Sequence, residues 1–187
     1  PAQPTITASG PLTFCDGGSV ILTSTSASGY LWSNGATTRS ITVTEGGSYS
    51  VRITNANGCQ SIPSAVTLVT VNPLPATPTI TQDGPLTFCA GGSVTLTAST
   101  GTSYSWSNGA TTQSITVTTS GSYTVRVTNV NGCQSLASAP AVVTVNALPA
   151  VPTITPSGSL TFCAGGSVIL TASAGTTYLW SNGATTR

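Results

Sequence analysis

A nine-residue stretch that occurs three times constrains the fold of this chain more than any other feature. Each copy reads Tyr-x-Trp-Ser-Asn-Gly-Ala-Thr-Thr, and the copies begin at positions 30, 104 and 178, so they are evenly spaced. Self-similarity at a fixed period, here about 74 residues, indicates an array of modules. We expect two complete repeats, residues 1–74 and 75–148, followed by the N-terminal half of a third, residues 149–187.

The repeated stretch combines a core anchor with a turn. A tyrosine and a tryptophan two positions apart point to the same side of a strand, and one tryptophan per unit can anchor a small core. The predicted core residues are Tyr30, Trp32, Tyr104, Trp106, Tyr178 and Trp180. Asn-Gly tolerates positive φ and favours a tight hairpin turn with a returning strand. The predicted turn residues are Asn34, Gly35, Asn108, Gly109, Asn182 and Gly183. The alternative role for each tryptophan is an exposed ring that stacks on sugar.

Charged side chains are scarce. The chain has four Arg, three acidic residues, no Lys and no His, for a net charge of +1. Without a basic cluster, the sequence argues against binding to nucleic acid or to anionic membrane surfaces. No apolar run approaches the roughly 20 residues of a membrane span, so no membrane insertion is expected. The absence of a signal peptide and of an initiator Met suggests a mature or excised segment.

The five cysteines occupy two positions of the repeat. Cys15, Cys89 and Cys163 share one position, and Cys59 and Cys133 share the other. Four cysteines allow three pairings, and we predict the pairing within each unit, Cys15–Cys59 and Cys89–Cys133, because every copy can make it identically. Cys163 is then unpaired by truncation. Disulfides indicate an oxidising, exported location; the alternatives are reduced buried cysteines and, less favoured without His or a Cys-x-x-Cys pair, a zinc site.

The remaining pattern is that of short strands. Pro4–Thr7 is consistent with an edge strand, where proline is tolerated. In residues 40–44, Ile41 and Val43 alternate with outward-facing Ser and Thr. About seven such strands per unit, with turn signals between them and no helical period, predict an all-β chain of tandem immunoglobulin-like β-sandwich modules. The cysteines lie at a strand start and in a turn, so we expect the bridge to tie one end of the sandwich.

The joins between units are short and rich in proline. They cover residues 72–78 and 146–152. Proline-rich linkers are extended and semi-rigid, which predicts a fairly stiff string of beads. The alternative is an ordinary flexible hinge.

The sequence offers no catalytic, metal-binding or cofactor-binding set. Its acids, Asp16, Glu45 and Asp83, recur at no repeat position. Without His or Lys, general acid–base chemistry has few candidates, and one scattered carboxylate per unit argues against a calcium site. Arg52 and Arg126 are equivalent and should face outward between Val and Ile positions, as part of a solvated strand face; the alternative is a contact to a ligand. We therefore expect no enzyme and no cofactor.

The run from Tyr30 to Cys59, repeated from Tyr104 to Cys133, resembles the repeats of large secreted surface proteins of Bacteroidetes. These include gliding-motility adhesins of the SprB type and their immunoglobulin-like or PKD-like modules. The resemblance extends over the entire chain. It implies export by the type IX secretion route and supplies no catalytic residues.

These observations together predict a structural and adhesive segment of a long extracellular cell-surface protein or filament. The expected partners are neighbouring repeats of the same chain, other copies laterally or end to end, and surface polysaccharide. One alternative is a carbohydrate-binding or spacer module of a secreted hydrolase. Another is a filament subunit whose third repeat is completed by strand exchange with a neighbour.

Overall fold

The computed structural model describes residues 1–187, and every regular element in it is a β-strand. The first repeat contains β1 (Ile6–Ala8), β2 (Thr13–Cys15), β3 (Val20–Ser24), β4 (Gly29–Trp32), β5 (Ser40–Val43), β6 (Gly47–Tyr49), β7 (Val51–Thr54) and β8 (Thr67–Asn72). The second contains β9 (Ile80–Gln82), β10 (Thr87–Cys89), β11 (Val94–Ala98), β12 (Ser103–Trp106), β13 (Ser114–Val117), β14 (Gly121–Tyr123), β15 (Val125–Thr128) and β16 (Ala141–Asn146). The third segment contains β17 (Ile154–Pro156) and β18 (Leu170–Ala172). The chain divides into two compact units, residues 1–145 and 146–187.

Each of the first two repeats is a sandwich of two sheets. In the first repeat, one sheet has the order β1-β3-β5. The other sheet is made of β2-β8-β6 and β4-β7, in which β6 and β7 are successive halves of one strand interrupted at Ser50. The pairing of β2 with β8 is parallel, and the other pairings are antiparallel. The second repeat has the same strand order. This arrangement confirms the predicted immunoglobulin-like sandwich.

The core of each repeat is built from residues that alternate along facing strands. Trp32 on β4 lies opposite Val51 on β7, and their exposed fractions are 2% and 1%. The indole Nε1 of Trp32 donates to the carbonyl of Thr38 at 2.8 Å, which satisfies the one polar atom of the ring. Trp106 repeats this contact with Thr112 and is 3% exposed. Both rings are therefore core anchors with no face open to a sugar.

The Asn-Gly turn is tight, but the predicted hairpin is wrong. Gly35 has φ of +87° and donates to the carbonyl of Trp32, while the Oδ1 of Asn34 accepts the N–H of Ala36. The strands on either side do not pair, because β4 pairs with β7 and β5 pairs with β3. The turn therefore carries the chain from one sheet to the other. Asn34 keeps a negative φ, so only the glycine uses the left-handed region.

A tyrosine locks the start of the interrupted strand in each repeat. The hydroxyl of Tyr49 donates to the carbonyl of Glu45, and that of Tyr123 donates to the carbonyl of Thr119, both at 3.1 Å. Immunoglobulin domains use such a tyrosine corner, and antibody domains place a core cysteine two residues later. Here that position is Val51 in the first repeat. The core consequently holds no disulfide, and the cysteines lie at the ends of the sandwich.

The third segment reproduces the local geometry of the repeated stretch. Trp180 exchanges the same hydrogen bonds with Ala184 and Thr186 that Trp32 makes with Ala36 and Thr38. Its ring is half-buried, and only β17 and β18 pair in this unit. The turn is therefore encoded locally, whereas burial of the ring depends on the second sheet.

One buried hydroxyl in the first repeat has no hydrogen-bond partner, which yields a test of the core. Ser24 is 2% exposed and its Oγ is unpaired, while the equivalent residue in the second repeat is Ala98. An unsatisfied buried hydroxyl costs about 1–3 kcal/mol. We expect Ser24→Ala to raise the free energy of unfolding by about 1 kcal/mol and the melting temperature by several degrees. Thermal unfolding followed by circular dichroism measures this shift, and Ala98→Ser should lower the melting temperature; equal effects of the two changes would contradict the prediction.

The second repeat contains a carboxylate, Asp83, whose hydrogen bonds make the stability of the repeat depend on pH. Hydrogen bonds from Thr95, foremost from its backbone N–H, hold the pKa of Asp83 below its ordinary value. The ionised form is thus favoured by folding, so its contribution is present at neutral pH and is lost as the pH falls through the lowered pKa. Ser9 makes the equivalent bond to Ile21 with a hydroxyl. We expect Asp83→Ser to flatten the fall in melting temperature between pH 5 and pH 2.5, and Ser9→Asp to steepen it.

Candidate functional site: the joint between the first two repeats

The cysteines are the reactive side chains that recur at equivalent positions of the repeats. No group of three or more His, Cys, Asp or Glu side chains is placed to hold a metal ion. Arg52 and Arg126 lie exposed on their strands and donate to the carbonyls of Ser61 and Ser135. These contacts fasten a loop within each repeat. The candidate functional site is therefore the place where the cysteines of successive repeats meet.

Cys15 lies at the end of the first repeat that meets the second repeat. It is the last residue of β2, and the parallel pairing with β8 sets it beside Asn72. The N–H of Asp16 donates to the carbonyl of Asn72 at 2.9 Å, which fixes the chain as it leaves the strand. Asn72 is also the last residue of β8, immediately before the proline-spaced join. We call this pair of strand termini the strand end of the repeat.

Cys133 lies in a loop at the end of the second repeat that meets the first repeat. The loop, residues 129–133, is wound around the side chain of Asn129, whose Oδ1 accepts the N–H groups of Asn131 and Cys133, each at 3.0 Å. Gly132 has φ of +78°, which a residue with a side chain rarely adopts. These bonds fix the backbone that carries the Cys133 side chain. We call this loop, and its equivalent at residues 55–59, the loop end.

A disulfide joins the two ends across the boundary between repeats. Cys15 is bonded to Cys133, with 5.6 Å between their Cα atoms and a sequence separation of 118. Cys133 is 0% exposed, and its Sγ lies 3.9 Å from the carbonyl oxygen of Asn72. The Nδ2 of Asn129 donates to the carbonyl of Pro73 at 3.0 Å. The joint thus has three attachments: the peptide chain, the disulfide and this hydrogen bond.

The pairing predicted within each unit, Cys15–Cys59 and Cys89–Cys133, is therefore wrong. Cys15 closes the strand end of the first repeat and Cys59 lies in its loop end, at opposite ends of the sandwich. Two Cα atoms more than about 7 Å apart cannot be bridged without moving the backbone. Cys59, Cys89 and Cys163 are free and exposed. The bridge does lie at one end of the sandwich, as expected, but it joins that end to the next repeat.

Two buried serines support the loop end, and the sequence analysis missed them. The Oγ of Ser61 accepts the N–H of Ile53, and the Oγ of Ser64 accepts the N–H of Val51, both at 3.1 Å. The backbone N–H groups of the same serines donate back to the carbonyls of Ile53 and Val51. The loop that follows Cys59 is thus fastened along β7 without forming a regular strand. The recurrence of Ser-x-x-Ser at 135–138 is the signal that could have revealed this.

Comparisons with known proteins identify no family for this chain. No family model matches the chain, and no curated protein matches it. Among solved structures, the three N-terminal domains of the bacteriophage RB49 highly immunogenic outer capsid protein (Hoc) align with 91% of this chain and 68% of their own, at 19% identity and a TM-score of 0.38. The human OSCAR ligand-binding domain aligns with 76% of this chain and 98% of its own, at 16% identity and a TM-score of 0.32. No helix in the structure has the length and apolar character needed to cross a membrane. The assignment of immunoglobulin-like modules rests on the strand order described above.

Proposed function

We propose that this chain is a structural segment of a long extracellular surface protein, in which successive modules are fixed end to end to form a stiff thread that projects from the cell and adheres. The observation that carries the proposal is the disulfide between Cys15 and Cys133. It lies between two modules, where it limits their relative orientation. A bridge inside either core would stabilise that module alone.

The stiffness follows from the number of attachments at the joint. A single peptide link leaves two modules free to rotate about its flexible bonds. The disulfide and the bond from Asn129 to Pro73 add two further attachments on residues held by secondary structure or by a tight loop. Each added attachment restricts a rotation that the peptide link alone would allow. Covalent attachment that survives outside the cell also fits the oxidising environment in which disulfides persist.

Adhesion is assigned to the outer strand faces, since both core tryptophans are buried. The outward positions of β3 and β5 are Ile21, Thr23, Ser40 and Thr42 in the first repeat. In the opposite sheet of the first repeat, Leu68 on β8 is 62% exposed, and Val66 just before that strand is 66% exposed. In the second repeat, Val142 on β16 is 58% exposed. Such uncharged faces suit a neighbouring thread or a surface polysaccharide, which are the partners we propose.

Immunogold electron microscopy of intact source cells tests this function. Antibodies raised against the full chain should decorate threads on the cell surface, with one bead for each repeat of the sequence. Label confined to the cell interior would overturn the proposal. A short string of beads ending in a large globular head would favour a spacer of a secreted hydrolase or lectin instead.

A further inference from the structure

Two five-residue loops of the second repeat share one backbone arrangement. They are residues 106–110, within the repeated stretch, and residues 129–133, the loop end that carries Cys133. In both loops the N–H of the first residue donates to the carbonyl of the fifth, and the N–H of the fourth donates to the carbonyl of the first. These distances are 2.9 Å in the former loop and 3.0 Å in the latter. Each loop places an Asn-Gly pair at its third and fourth positions, so Asn108-Gly109 and Asn131-Gly132 can be compared on the same backbone frame.

The two asparagine side chains differ in their hydrogen bonds. The Oδ1 of Asn108 accepts the N–H of Ala110 at 3.2 Å, which holds the side chain against its own turn. In the loop end, the corresponding N–H belongs to Cys133 and donates instead to the Oδ1 of Asn129 at 3.0 Å. The backbone N–H of Asn131 also donates to that oxygen, and the side chain of Asn131 makes no hydrogen bond of its own. Asn129 thus takes the donor that would otherwise hold the side chain of Asn131.

An asparagine followed by glycine can react with its own backbone. The nitrogen of the next residue attacks the side-chain amide carbon, Cγ, and glycine leaves this approach open because it has no side chain. Asn131 and Gly132 are exposed while the joint is closed and Cys133 is buried, so solvent reaches both reacting groups. Asn108 and Gly109 are exposed as well. The two pairs therefore differ in the hydrogen bond of the asparagine side chain and are alike in their access to water.

We propose that Asn131 is a site of spontaneous covalent modification, at which cyclisation with Gly132 and hydrolysis by water convert the asparagine into isoaspartate or aspartate and loosen the joint between the repeats. The modification itself follows from the hydrogen bonds and exposure of the loop end. Its effect on stiffness rests on the proposed function, in which the joint makes the thread stiff.

The reaction needs only water and is balanced without an oxidant or a reductant. The backbone nitrogen of Gly132 forms a bond to Cγ of Asn131, the bond from Cγ to Nδ2 breaks, and the N–H proton of Gly132 leaves with Nδ2 as ammonia. Water then adds to either carbonyl carbon of the succinimide ring. Opening at Cγ gives aspartate, whereas opening at the main-chain carbon leaves Gly132 attached through Cγ and gives isoaspartate.

Isoaspartate would change the part of the loop end that forms the joint. It inserts the Cβ of residue 131 into the backbone between Asn129, whose Nδ2 donates to the carbonyl of Pro73, and Cys133, which carries the disulfide. The inserted atom shifts Asn129 relative to Cys133, so the two residues cannot both keep their places against the first repeat. The disulfide is covalent and should remain, and the hydrogen bond to Pro73 should be lost.

The test is ageing of the purified, oxidised full chain in warm, mildly alkaline buffer, followed by peptide mapping with mass spectrometry that distinguishes isoaspartate from aspartate. Asn108 serves as the reference within the same molecule. We expect Asn131 to convert roughly two- to tenfold faster than Asn108, which is the factor that one hydrogen bond corresponds to. Equal rates, or faster conversion at Asn108, would overturn the proposal.

A matched variant tests the effect on the joint. Asn131→Ser retains the backbone N–H that donates to Asn129 and removes the reacting amide. Small-angle scattering of the aged wild-type chain should show a broader distribution of particle lengths than the fresh chain, whereas aged Asn131→Ser should match its own fresh sample. Unchanged scattering from aged wild-type chain in which Asn131 is converted would refute the loosening. Scattering of the fresh chain reports on stiffness by itself, so failure of the proposed function is distinguishable from failure of this inference.

Discussion

Replacing Cys15 and Cys133 together with serine is expected to separate the unfolding of the first two repeats and to lower their stability. The disulfide links residues with a sequence separation of 118, and the loop that it closes contains most of both modules. In the chain-entropy model, such a closure destabilises the unfolded chain by about 5 kcal/mol. Urea denaturation followed by circular dichroism should show a transition at lower urea, and small-angle scattering should show a broader range of particle lengths.

The matched control for this change is Cys163→Ser, which removes a free, exposed thiol. It should leave both the urea midpoint and the scattering profile unchanged. Reduction of the wild-type chain should reproduce the behaviour of the double variant. If the double variant kept the midpoint and the particle-length distribution of the oxidised chain, the joint would not depend on its disulfide.

Replacing Trp106 with alanine is expected to unfold the second repeat while the first stays folded. The ring is 3% exposed, lies opposite Val125 and packs among residues of both sheets. Truncation of a buried tryptophan costs about 3–5 kcal/mol. A small module has few buried residues to offset such a loss. Hydrogen exchange followed by mass spectrometry should therefore show lost protection in residues 79–145 and retained protection in residues 5–72.

Two variants make this result interpretable. Trp106→Phe keeps an aromatic ring in the core and should preserve most of the protection in the second repeat. Leu136→Ala removes a side chain that is 64% exposed and should change little. Loss of protection spread equally over both repeats would contradict the expectation that each module has its own core.

The fold was predictable because most of its determinants are local or periodic. The alternation of Ile41 and Val43 with Ser and Thr fixes which face of β5 is buried, and the buried Trp32 fixes the core. The sequence predicted the Asn-Gly turn, but not that the chain crosses there from one sheet to the other. Whether the chain returns beside β4 or crosses to the other sheet depends on β7, which occupies the edge of β4 and follows only after β5 and β6. The residues of the turn do not indicate whether β5 or β7 will pair with β4.

The disulfide could not be predicted by requiring that all copies be identical. Joining Cys15 to Cys133 satisfies that requirement as well as joining Cys15 to Cys59 does, because a constant shift by one repeat preserves the period. The choice between them depends on which end of the sandwich each cysteine occupies. That placement follows from the parallel pairing of β2 with β8, which sets Cys15 at the strand end. A parallel pair between two short segments near the beginning and the end of the repeat leaves no local pattern in the sequence.

The Cys15–Cys133 bridge also determines how the first two modules respond to tension along the chain. When the ends are pulled apart, the covalent path runs from Cys15 directly to Cys133, so the segment that separates them in sequence does not lengthen even if both modules unfold. Fully extended, the segment between the two cysteines would be about 400 Å long, and the bridge prevents the chain from lengthening by that amount. The force is borne instead by the residues before Cys15 and after Cys133. An ordinary tandem array yields by giving up one module at a time, whereas in this pair the pull passes through the covalent link and acts only on the strands outside it, β1, β2 and β16.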